Sequence, residues 1–159
     1  MFIIKNLLEF LKGFFYVESN CNAIRAVLHI AKAASKKEKI DSKKVAFELE
    51  IPAPFLAKTL QELTRKKIVS SIKGPHGGFY LTEKNKQKSL FDIIDCVDDI
   101  HKFEECFLGQ LECDDQKPCV VHHLYMPFKN KLIEKLKTKS IIEMTDEYAR
   151  NNNLTEIIN

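Results

Sequence analysis

The sequence predicts a mainly α-helical chain with one small β-hairpin and a long C-terminal helix. Three observations carry that expectation. Apolar residues recur at three- and four-residue steps in successive stretches, the signature of amphipathic helices. A single Gly-Pro-His-Gly-Gly run (74–78) separates two short β-prone runs. The last apolar stripe, from Val120 to Leu136, is too apolar for a lone surface helix and predicts a seam against a second chain or a clasp on the first domain.

The elements follow in order. The opening MFIIKNLLEFLKGFFYVESN is apolar but broken by Lys5, Glu9 and Lys12. It lacks a small-residue cleavage site, which argues against a secretory signal. No apolar run reaches the roughly 20 residues that a bilayer-spanning helix needs, so a cytoplasmic chain without membrane association is expected. Residues 22–34 read as a helix with Ile24, Val27, Leu28 and Ala31 on its apolar stripe. After a lysine-rich turn, Asp41 or Ser42 can cap a helix over 42–50, which buries Val45, Ala46 and Leu49 and stops before Pro52.

PAPFLAKTLQELTRKKI then predicts a second helix after a tight turn. Pro54 suits the first helical turn, where its missing N–H is harmless. Leu56, Leu60 and Leu63 form the inner stripe, and Ala57, Lys58, Gln61 and Arg65 lie opposite. Two short helices joined in this way, the second presenting polar and basic residues, are what a helix-turn-helix requires. VSSIKGPHGGFYL places a hairpin directly behind it, with Lys73, Gly74, His76 and Gly77 at or beside the tip. A hairpin there is a wing, within reach of phosphates or a minor groove. SLFDIIDCVDDI (89–100) is a further amphipathic helix, and Cys96 adjoins its stripe as a packed thiol. In the stretch from Val120, residues Val121, Leu124, Tyr125, Phe128, Leu132 and Leu136 form the stripe. Pro127 implies a kink, or a start nearer Met126. A short helix with an Asn-rich end closes the chain from Thr138.

Charge divides the molecule. Formal net charge is only +3, yet Lys32–Lys73 holds eleven basic against five acidic residues, and Asp92–Cys119 nine acidic against two basic. A basic first half suits nucleic acid and an acidic second segment suits a cation.

That acidic segment holds Cys106, Cys113 and Cys119, followed by His122 and His123. The spacing is C-x6-C-x5-C-x2-H. Thiolates are soft ligands for zinc or iron–sulfur clusters. Three cysteines leave a four-ligand site one short. His122 is the near candidate and Cys21 the distant one. Zinc stays open because Cys3His is a structural zinc set, although gaps of six and five exceed the usual paired spacing. Acidic neighbours raise a thiol's pKa, which argues against a cysteine-dependent enzyme.

The motifs NAIRAVLHIA, PAPFLAKTLQELTRKKIVSSIKGPHGGFYL, SLFDIIDCVD and the cysteine segment with His122 resemble the Rrf-two (BadM, IscR/NsrR type) family of winged-helix transcription regulators, from about Ser19 to Ile142. The resemblance implies four parts: an N-terminal extension (1–18), a winged helix-turn-helix (19–100), a cluster-binding cysteine loop (101–119), and a dimerisation helix with its tail (120–159). It implies a homodimer on double-stranded DNA. It also implies a 2Fe–2S or 4Fe–4S cluster on Cys106, Cys113 and Cys119, the fourth ligand being His122 or Cys21, with Cys21 slightly preferred. The alternative is a winged-helix regulator without a cluster, set by zinc, thiol oxidation or a small ligand. Lys44, Lys58, Arg65, Lys66, Lys67 and Lys73 are the expected phosphate contacts. Lys58 and Gln61 are expected at base edges. Pro54 and Phe55 lead the recognition helix, and Gly74, His76 and Gly77 shape the wing. The sequence departs from the pattern at Asn22, Pro52 and Ala57 and in its first cysteine gap.

Overall fold

The computed structural model describes residues 20–34, 38–98 and 115–150. The N-terminal extension, Cys106, Cys113 and the Asn-rich end lie outside the described residues. None of the described helices is long and apolar enough to cross a membrane.

Helix α1 spans residues 20–33. Its buried stripe keeps the expected Val27 and Leu28 and widens toward Ala23, Ala26 and Ile30. Ala23, Ala26, Val27 and Ile30 are fully buried, while Ile24 and Ala31 are only partly so. Helix α2 (Ser42–Glu48) is shorter than expected because Leu49 caps it. Asp41 is the N-cap and its carboxylate accepts from the Lys43 amide. The turn that follows puts Glu50 at φ 55°, left-handed for a non-glycine residue. Arg25 steadies it from α1, donating to the Leu49 carbonyl at 2.9 Å and to Asn22 Oδ1 at 3.2 Å.

Helix α3 (Ala53–Arg65) has Pro52 as its N-cap and Pro54 in its first turn. Leu56, Leu60 and Leu63 are fully buried, as the periodicity predicts. Each contributes about 1.5–3 kcal/mol by leaving water. The chain leaves α3 through Lys67 at φ 58° and drives Ile68 and Val69 into the core.

Strands β1 (Ser70–Ile72) and β2 (Gly78–Tyr80) pair antiparallel, Ser71 opposite Phe79. At the tip the Gly77 amide donates to the Gly74 carbonyl at 2.9 Å. A separate bridge on the other edge of β2 comes from far back in the chain: Ile40 and Phe79 exchange backbone hydrogen bonds of 3.0 and 2.8 Å. Gly78 permits that approach, since a Cβ there would lie 2.8 Å from the Ile40 carbonyl oxygen.

Helix α4 (Glu83–Lys86) is one turn that the periodicity does not announce. Its Asn85 is buried and works as a polar hub. Oδ1 accepts from Ser70 Oγ and the Thr82 amide, and Nδ2 donates to the Lys67 carbonyl, all at 2.8 Å. Helix α5 (Leu90–Val97) opens with a Ser89–Asp92 capping box and ends on Asp98, short of the expected 100. It packs against α3.

Helix α6 spans His122–Thr138 and packs against α5. This is close to the expected Val120–Leu136 helix; it runs through Pro127, so of the two readings of that proline the start nearer Met126 does not hold. Proline leaves the His123 carbonyl without its helical donor, but both residues are exposed and water can serve that oxygen. The expected single stripe splits. His122 and Lys129 are buried and Val121, Tyr125 and Leu136 half-buried on the inner side. Val120, Leu124, Phe128 and Leu132 face out, 90, 80, 64 and 39% exposed. Helix α7 (Ile141–Arg150) returns to the winged domain. Fully buried Ile141 joins its core, and its amide donates to the Lys88 carbonyl at 2.8 Å.

Candidate nucleic-acid interface and cysteine segment

The helix-turn-helix and wing place the expected DNA residues on exposed surface. Lys44, Pro54, Phe55, Lys58, Gln61, Arg65, Lys66, Lys67, Lys73, Gly74 and His76 are all exposed, and Gly77 is half-buried beneath the tip. Two cations are engaged along their own helices. The Lys44 ammonium lies 3.8 Å from Glu48, and Arg65 pairs with Glu62. Exposed pairs of this kind are worth about 0–1 kcal/mol, so a phosphate can displace the carboxylate.

Between α3 and the wing runs a groove of about 560 Å³, lined by Gln61 and Thr64 on one side and by Ser71, Lys73, Gly74 and Phe79 on the other. Asp41 closes one part of it. Sequence reasoning found Gln61 and Lys73 but missed Thr64, Ser71 and Asp41. Spacing along α3 puts Thr64 three residues beyond Gln61 and so on its face, whereas Asp41 arrives only through the Ile40–Phe79 pairing.

The cysteine segment is described from Asp115 onward. Cys119 is half-buried just ahead of α6, and its carbonyl accepts from the His122 amide at 3.0 Å. The His122 ring is buried, with Nε2 2.8 Å from Asp115 Oδ1. It meets the His123 ring edge-on at 5.6 Å between centroids. Cys21 is exposed on α1. Among the described residues no group of three His, Cys, Asp or Glu side chains is placed to hold a metal, and Cys106 and Cys113 lie outside them. Cys96 is half-buried against the core, and burial pushes its thiol pKa up while Lys66 partly offsets the rise. These packings leave a continuous stack, in which the helix that starts beside Cys119 and His122 rests on α5 and α5 rests on the recognition helix α3.

Comparison with known proteins agrees with this architecture. A family model described as Rrf2, iron-dependent transcriptional regulator, matches residues 20–147. A protein of Aquifex aeolicus named as an HTH-type transcriptional regulator is 32% identical over 124 residues, covering 77% of this chain and 85% of that one. The structure of CymR (YrzC), the global cysteine regulator of B. subtilis, superposes with a TM-score of 0.65 at 16% identity over 81% of this chain and 94% of that one. T. potens IscR superposes with a TM-score of 0.63 at 17% identity, over 88% and 92%.

Proposed function

Because the chain belongs to the Rrf2 family of winged-helix transcription regulators, we propose that it acts as a homodimer whose grip on double-stranded DNA is set by an iron–sulfur cluster. Two copies of α3 enter successive major grooves, with half-sites about one helical turn apart. Lys44, Lys58, Arg65, Lys66, Lys67 and Lys73 neutralise phosphates, and Lys58 with Gln61 reaches base edges. The wing tip, with Gly74, His76 and Gly77, follows the adjacent minor groove.

Cys106, Cys113 and Cys119 supply three thiolates, a donor set that suits a 2Fe–2S or 4Fe–4S centre. His122 now has more support as the fourth ligand than Cys21. A metal-bound imidazole is usually steadied by a carboxylate on its ring, and Asp115 stands 2.8 Å from Nε2 of His122. Cys21, exposed on α1, is the alternative if the partner subunit completes the site. When bound, such a cluster supplies a centre sensitive to iron supply, redox state or nitric oxide. The chain's own residues carry the response. Cys119 and His122 tie the segment to the first turn of α6, and α6 bears on α5 and α5 on α3. That stack is the observation that carries the proposal. A difference of about 1–3 kcal/mol between two settings of it suffices for regulation.

Anaerobically purified protein should be coloured, contain iron and acid-labile sulfide, and lose both with Cys113→Ala. A colourless anaerobic preparation holding stoichiometric zinc would reject the cluster and leave a zinc-set regulator.

A further inference from the structure

The leading turn of the recognition helix has an unusual surface. Ala53, Pro54 and Phe55 are all exposed, and Pro52 ahead of them is exposed too. None of these side chains can donate or accept a hydrogen bond. Phe55 keeps 37% of its surface open, whereas Leu56, Leu60 and Leu63 on the same helix are fully buried. Phe55 thus leaves about a third of its surface, an apolar aromatic one, open on the outer side of the helix. Lys58 stands one turn along the helix, exposed Arg65, Lys66 and Lys67 close it about 15 Å from Phe55, and Lys73 is exposed on the wing, against exposed Glu48 and Glu50 ahead of the helix. That charge fits a polyanion as its occupant and disfavours an apolar protein surface.

The first residues of a recognition helix are those that meet base edges. A leading turn with no polar side chain cannot read the donors and acceptors of the major groove. What it can read is the one apolar group displayed there, the 5-methyl of thymine. Resting on the DNA-binding role above, we propose that Phe55, flanked by Ala53, is a specificity-determining residue that selects thymine by packing against its methyl group. Phe55 precedes Lys58 by three residues, about 4.5 Å along the helix axis. The thymine therefore sits within one or two base pairs of the base that Lys58 reaches.

The test uses the full-length protein, prepared anaerobically, and a DNA sequence enriched by selection from a random library. Each thymine is then replaced singly by deoxyuridine, which removes only the methyl. One position per half-site should weaken wild-type binding about fourfold, the effect of one buried methyl. Phe55→Ala should weaken binding to the thymine DNA by at least as much and lose its sensitivity to deoxyuridine at that position alone. Circular dichroism melting confirms that the variant folds. Wild-type binding that ignores deoxyuridine everywhere overturns the proposal, as does a Phe55→Ala protein that binds normally, which would assign the face to a protein partner. Sensitivity to deoxyuridine that survives in Phe55→Ala also overturns it. Selection that enriches no sequence defeats the DNA-reading role itself and is thereby told apart from failure of the methyl contact.

Discussion

Gly74 and Gly77 lie three residues apart on the wing and respond differently to an added methyl group. At Gly74 a Cβ would meet open space, but φ is 115°, where an L side chain is strained. At Gly77 the Cβ would fall 2.2 Å from the Ile72 carbonyl oxygen and 2.9 Å from that of Gly74, so the tip itself must open. Gly77→Ala should therefore distort the wing by about 1–3 kcal/mol and lower DNA affinity by roughly 10–100-fold. Melting should shift little, because the tip is exposed. Equal DNA binding by wild type and Gly77→Ala would show that the wing does not touch DNA. Two of the described thiols, Cys21 and Cys96, separate in the same way. Cys96 is half-buried with a raised pKa, and Cys21 is exposed. At pH 8 iodoacetamide should modify Cys21 at least about tenfold faster than Cys96, because the thiolate is the nucleophile. Mass spectrometry of timed digests reads this directly, and equal rates would contradict the packing of α5.

Elements that close on local signals were legible in the sequence. The proline-led α3, the Gly-Pro-His-Gly-Gly hairpin and the Ser89-capped α5 each carry their own start, stop and stripe within a dozen residues. What stayed hidden is non-local. Ile40 pairs with Phe79 across 39 positions, and Asn85 gathers Thr82, Ser70 and Lys67, and neither leaves a periodic trace. Helix α6 misled because its apolar residues serve two faces, and periodicity merges faces that lie next to each other. The three-cysteine pattern was plain, whereas the Asp115 partner of His122 depends on a loop geometry that spacing does not encode. Helix α7 shows how much an end box contributes. Glu143 accepts from the Ser140 amide and hydroxyl, both at 2.8 Å, and the backbone bond chiefly holds its carboxyl below the ordinary carboxylate range. A folded-state pKa lowered in this way adds stability above the ordinary carboxylate pKa, and the gain is lost as pH falls through the folded value. Wild type should thus be more stable than Glu143→Gln at pH 7, and the difference should shrink as pH falls below the ordinary carboxylate value and through the lowered folded one. A pH series of melting curves measures this, and a gap that persists unchanged in acid would assign the effect to packing.

At the scale of the whole molecule, one surface is out of place on a single chain. Leu124, Phe128 and Leu132 recur every four residues along the outer side of α6, Val120 stands in the turn just ahead of it, and all four are exposed. The inner side of the same helix already packs on α5, and among the described residues the outer stripe stays exposed. Four-residue spacing over about two helical turns gives a seam that a second copy of α6 can mirror, and a two-fold pair of such seams is self-complementary. That pairing would set two α3 helices at a fixed separation, which a two-half-site operator requires. Phe128→Asp places a charge in the middle of the stripe. Phe128 is 64% exposed in the chain, so the substitution removes little from its own core. The expected outcome by light scattering is a mass of two chains for wild type and one for Phe128→Asp, with near-native circular dichroism. DNA affinity should fall at least a hundredfold, because each half-site is then held separately and the gain from linked binding is gone. Wild type that is monomeric at micromolar concentration would remove the seam, and a Phe128→Asp protein that remains dimeric would place it elsewhere. Either would also leave the α6–α5–α3 stack without the fixed partner against which a shift in α6 could be felt at the DNA.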